Sequence, residues 1–252
     1  MKFKHIALLA IAASATAFFT ACEDNTPVNP QPTVGSFSIE FDHRWGMNED
    51  PFLYKQPMLH PMSGDSLTTN LLKYYISNIV LTKADGSTYR VPSSYYLIDP
   101  ENNKIDITNV PSGEYTDFSF LVGVDSTANC SGLQEGALNP SNGMFWSWSS
   151  GYIFIRIEGK SNKSADGNFL YHLGGYKSPY NAIQNKSISF GATKLAISPD
   201  ANPEVHMITN VAKLWHGPIK TADLSVIHMI GSNATTMATN FGAGIRFDHL
   251  HP

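Results

Sequence analysis

Ser36-Phe37-Ser38-Ile39-Glu40-Phe41 alternates polar and apolar side chains without a break. Successive residues of an extended chain point to opposite faces, so this run describes a strand with one face buried and the other wet. Asp42 and His43 continue the alternation, which places His43 at the end of the apolar face. Runs of the same character recur at 74–82, 88–91, 104–108, 115–124, 152–158, 168–173, 187–190, 194–198, 205–214 and 244–249. Asp85-Gly86, Ser112-Gly113 and Asp166-Gly167 fall between them as hairpin turns. Many short strands, polar turns and no sustained helical period predict an all-β fold, an antiparallel β-sandwich. Helix is expected only around 139–148 and 234–240, the latter because Ala234, Met237, Ala238 and Phe241 recur every three to four residues.

The start of the chain reads differently. Lys2 and Lys4 precede an apolar run that ends at Phe19-Thr20-Ala21-Cys22. A basic start, a short apolar stretch and small residues before a cysteine describe a bacterial lipoprotein signal over residues 1–21, with Cys22 as the lipidated first residue of the mature chain. The run is too short to span a bilayer as a helix. Residues 22–34, with Pro27, Pro30 and Pro32, form an extended tether. One domain is then expected over 35–252. Glu23 and Asp24 beside the lipid site point to the outer membrane, facing either the periplasm or the surface. With Cys22 lipidated, Cys130 has no disulfide partner, and no base or positive group near it in sequence makes it a nucleophile.

Hydrophobic residues make up 42% of the chain, enough for a core, while only 15% are charged and the net charge is −4. No basic stripe exists for nucleic acid. Gly-x-Ser-x-Gly, His-Glu-x-x-His and phosphate-cradling glycine loops are missing, so an enzyme is not expected.

Two residue types carry the candidate chemistry. Eight of the nine histidines follow residue 21, and imidazole suits copper and zinc. The pattern Ile245, Phe247, His249 repeats that of Ile39, Phe41, His43, so adjacent or facing first and last strands would bring His43 and His249 to one end of the core. His172 precedes Gly174-Gly175, where the backbone can pass close to a ligand. Met58, His60 and Met62 alternate as a softer set suited to copper(I). The second residue type is tryptophan. Trp146 and Trp148 stand two apart in Gly143-Met144-Phe145-Trp146-Ser147-Trp148-Ser149-Ser150-Gly151-Tyr152. Paired indoles line a core edge, a ligand platform or a redox site. One alternative is therefore a surface glycan- or ligand-binding module, with Trp45, Trp146, Trp148 and Tyr152 as a stacking platform.

In order along the chain stand Phe41-Asp42-His43, Tyr74-Tyr75-Ile76-Ser77-Asn78-Ile79, Val110-Pro111-Ser112-Gly113-Glu114-Tyr115, Gly123-Val124-Asp125, the tryptophan run and Tyr171-His172-Leu173-Gly174-Gly175. Together they resemble the MbnP family, methanobactin-associated extracytoplasmic copper-binding proteins. The resemblance implies one copper ion held by two histidines and a nitrogen of kynurenine. That kynurenine is made from tryptophan by a diheme partner related to cytochrome c peroxidases. It points to His43 and His172 as the metal-binding histidines and to Trp146 or Trp148 as the kynurenine precursor. An intact indole nitrogen cannot serve, because its lone pair belongs to the ring; the aniline of kynurenine can donate.

Overall fold

The computed structural model describes residues 33–147, 149–217 and 219–252. Expectations for the signal, for Cys22 and most of the tether, and for Trp148 lie outside the described residues. The strands used below are β1 (Val34–Trp45), β2 (Ser66–Lys83), β3 (Lys104–Pro111), β4 (Gly113–Val122), β5 (Gly151–Ser161), β6 (Asn168–Gly174), β7 (Gln184–Ser189), β8 (Glu204–Asn210) and β9 (Ile245–His251).

The alternating stretch that opens the reading is the middle of β1. Phe37, Ile39 and Phe41 are fully buried, and His43 and Trp45 follow them inward. β1 pairs antiparallel with β3 on one side and parallel with β8 on the other, and β8 pairs antiparallel with β9. The sandwich is thus mixed where antiparallel pairing alone was expected. The first and last strands are also not neighbours, because β8 lies between them. A second sheet runs β7–β4–β2–β5–β6, with Val226–Ile227 added parallel to β6 at its edge.

β2, an 18-residue strand, is the spine of that second sheet. It changes register against β4 between Ser77 and Val80, where Asn78 takes a left-handed φ of 55°. Asparagine tolerates that conformation better than most residues, so the Tyr-Tyr-Ile-Ser-Asn-Ile segment is a built-in bulge. Tyr115 donates its hydroxyl to the Pro111 carbonyl at 2.8 Å, which ties the turn between β3 and β4. Both segments thus have structural roles.

The core lies between the sheets and is aromatic. Phe41 stands edge-on to Tyr74 and to Phe120, each with ring centres 6.2 Å apart. The helix Ser232–Ala243 closes one side, and Ala234, Met237, Ala238 and Phe241 are fully buried as their spacing predicts. Phe241 packs on Tyr74 at 5.0 Å. The other expected helix does not form. Pro140–Asn142 makes a single 3-10 turn that Gly143 ends with φ 73°, and Phe145–Ser147 then pairs with the start of β5. A left-handed glycine after one turn stops helix growth, and the aromatic run beyond it favours strand. The run 205–214 is strand only to Asn210; Val211–Trp215 is a 3-10 helix.

Candidate metal centre

The histidines separate cleanly by face. Tyr74 on β2 is the register partner of Ile155, whereas His172 on β6 is the partner of Arg156. Adjacent residues of β5 point to opposite faces, so Tyr74 and His172 lie on opposite faces of the second sheet. His43 belongs with Tyr74: its Nε2 lies 3.2 Å from the Tyr74 hydroxyl, and its ring is flanked by Phe52 and Tyr74. Burial lowers its pKa to about 4, against the pull of Asp42 and Asp99, so His43 is neutral at neutral pH. It sits at the end of the apolar face, as the alternation requires.

His172 faces a different environment. Its Nε2 is 2.8 Å from Glu158 Oε1, and Glu158 also accepts from Arg156 Nε at 2.6 Å. Burial pushes the Glu158 carboxyl up, but these two donors hold it below the usual carboxylate range. Burial likewise lowers the pKa of His172 although Glu158 raises it. A neutral His172 that donates Nε2–H to Glu158 leaves the Nδ1 lone pair free. A carboxylate that fixes the tautomer of a histidine in this way is the usual second support of a metal ligand.

A further histidine stands beside it. β6 and Val226–Ile227 run parallel, with Leu170 opposite Val226 and Tyr171 opposite Ile227. The pairing ends there, and His228 is the exposed residue that follows; its charge contributes to lowering the His172 pKa. Only a two-residue strand with no alternation to extend it precedes His228, so periodicity alone could not place this residue.

Trp146 completes the group. A side-chain carbon added to Gly174 would lie 2.9 Å from the Trp146 ring and 2.6 Å from the Tyr152 carbonyl oxygen. The first glycine therefore lets the indole rest directly on the β6 backbone, two residues from His172 on the same face. The second, Gly175, takes a left-handed φ of 121°. The half-buried Trp146 shares a surface cavity with Ser150, His228, Met229 and Ile230. Its Nε1–H is buried and has no hydrogen-bond partner among the described residues.

The remaining candidates lie elsewhere. His249 is on β9 on the outer side of the first sheet, stacked on His206 with ring centres 4.5 Å apart. His43 and His249 do not converge, since β8 separates their strands and His249 points outward while His43 points in. His60 is buried with Nδ1 on Ser63 and Nε2 on the Ala212 carbonyl, and Met62 is exposed, so Met58, His60 and Met62 form no common site. Trp45 and Tyr152 are 4% and 1% exposed, so neither belongs to a surface stacking platform. Cys130 is exposed, its sulfur 3.6 Å from the Tyr176 hydroxyl.

The MbnP family model matches residues 34–230. The chain belongs to the MbnP family. The match includes Trp146, His172 and His228 and stops before β9. Among solved structures, MbnP from Methylosinus trichosporium is similar at 13% identity, over 79% of this chain and 83% of that one, with a TM-score of 0.49. No curated protein matches the chain.

Proposed function

We propose that this MbnP-family chain is an extracytoplasmic copper-binding protein that takes up, stores or hands over the ion, with no catalytic activity of its own. The observation that carries the reading is that His228 lines one cavity with Trp146 and acts electrostatically on His172, while the buried Nε1–H of Trp146 lacks a partner among the described residues. The donor set fits copper(I): two imidazoles offer nitrogen ligands to a soft ion that accepts low coordination. Glu158 orients one of them.

Trp146 supplies a third nitrogen only after oxidation. Two equivalents of peroxide, delivered through a diheme peroxidase-like partner, would add two oxygens across the indole C2–C3 bond with release of two waters. Hydrolysis of the formyl group then frees the aniline of kynurenine. Trp148, next but one in the chain, is the other candidate precursor. Lipid on Cys22 holds the protein at the outer membrane of the cell envelope.

Copper(I) competition titrations of the mature protein test the site. One equivalent of ion is expected, with binding weakened more than tenfold by His172→Ala or His228→Ala. Unchanged affinity in the double variant overturns the assignment. Mass spectrometry of the peptide spanning 142–156, from cells with and without the diheme partner, tests the oxidation, and intact tryptophan in the presence of an active partner ends it. Cys22→Ser is expected to release the protein from membranes.

A further inference from the structure

A second histidine cluster lies on the outer face of the first sheet. Register brings it together: His206 on β8 stands opposite His249 on β9 and opposite Glu40 on β1, while Glu204 stands opposite His251. Residues two apart on a strand share a face, so β8 presents Glu204 and His206 beside His249 and His251 of β9. The three imidazole rings lie within 4.6 Å of one another, centre to centre. One nitrogen from each histidine fits within a 4.8 Å group.

The hydrogen-bond roles leave lone pairs pointing inward. His249 Nδ1 is 2.9 Å from Asp248 Oδ2, so Nδ1–H donates to that carboxylate and Nε2 is left to face the cluster. That Nε2 lies 3.0 Å from His251 Nε2. His206 Nδ1 is 3.3 Å from Glu40 and its Nε2 is 3.2 Å from Glu204 Oε1. With Nδ1–H donated to Glu40, loss of the Nε2 proton would leave that nitrogen and Glu204 Oε1 together to face a cation. Two nitrogens about 3 Å apart match an edge of a coordination shell with metal–nitrogen distances near 2.0–2.1 Å.

We propose that His206, His249, His251 and Glu204 form a binding site for a divalent cation of the zinc class, separate from the copper site. Nε2 of each histidine and one Glu204 oxygen supply a four-coordinate nitrogen and oxygen set, the donor mix of zinc sites. Asp248 and Glu40 hold the far nitrogens of His249 and His206, the support that metal-bound imidazoles ordinarily have. The site adds carboxylate to nitrogen, which favours a harder divalent ion over copper(I). It draws on β9, beyond the matched residues 34–230, and does not depend on the copper reading.

Zn2+ alone is the probe. Calorimetric titration of the mature His172→Ala/His228→Ala protein is expected to show one equivalent bound. Adding His249→Ala and His251→Ala is expected to weaken that binding more than tenfold. Co2+ in place of Zn2+ is expected to give the intense visible bands of four-coordinate cobalt in the protein with His206, His249 and His251 intact, a readout that needs no further variant. Failure to bind Zn2+, equal binding by the variant lacking His249 and His251, or only weak octahedral cobalt bands overturns the site. Loss of copper(I) binding in the His172→Ala/His228→Ala background with Zn2+ binding retained separates the two readings.

Discussion

Two histidines of similar sequence setting, His43 and His172, end in opposite circumstances. Each follows an apolar residue two positions earlier on a strand, and each is substantially buried. His43 closes the aromatic core with Nε2 on the Tyr74 hydroxyl. His172 stands on the far face of the second sheet, held by Glu158 and two residues before Gly174, on which the Trp146 ring rests. Burial makes both neutral, but only His172 has a carboxylate that fixes its tautomer. The two rings differ in what holds Nε2, a hydroxyl for His43 and a carboxylate for His172.

The sharpest way to break this contrast is to remove each side in turn. His172→Ala/His228→Ala should weaken copper(I) binding about a thousandfold, roughly 4 kcal/mol, while His43→Gln leaves it within twofold. Competition titration against a chelator checks this, and an equal loss in His43→Gln would erase the distinction.

The pH dependence of stability sharpens the His43 side. Its folded pKa of about 4 lies below the ordinary value of 6.5, so the unfolded chain takes up a proton that the native state refuses. Stability therefore rises with pH across that window and falls as pH drops through it, by roughly 3 kcal/mol in all. Urea melts at pH 7 and pH 4 should show His43→Gln losing this component; parallel curves for the two proteins would refute it.

Smaller effects are expected at the supports of the second group. Gly174→Ala forces a methyl against Trp146 and the Tyr152 carbonyl and should destabilise by about 2 kcal/mol, with altered indole fluorescence. Unchanged melting and emission would show that the indole does not rest on β6. Glu158→Gln should weaken copper(I) binding about tenfold, near 1.4 kcal/mol, with little change in melting temperature. A large melting change with constant affinity would make Glu158 structural.

The alternation of β1 and the spacing of Ala234, Met237, Ala238 and Phe241 were legible because period alone decides which face is buried. His172 was legible through its paired glycines, although the glycines serve the indole and a turn. His228 was not, because only a two-residue parallel edge strand positions it, and cross-strand register is not written in local pattern. Pairing also decided against the meeting of His43 and His249: nothing in either strand announces that β8 lies between them. The 139–148 segment misled because an asparagine-proline start looks helical until Gly143 stops it.

The parallel pairing of β1 with β8 has a consequence for how the chain assembles. Ser38 aligns with Asp106 on one side but with Glu204 on the other. The first strand synthesised thus keeps one unsatisfied edge until most of the polypeptide exists, and contacts so distant in sequence make folding slow. During that interval an alternating, aromatic strand is open to pairing with other chains. Loss of the segment from Glu204 onward would leave that edge exposed for good, so truncation there should aggregate the protein even though β2 through β6 remain whole.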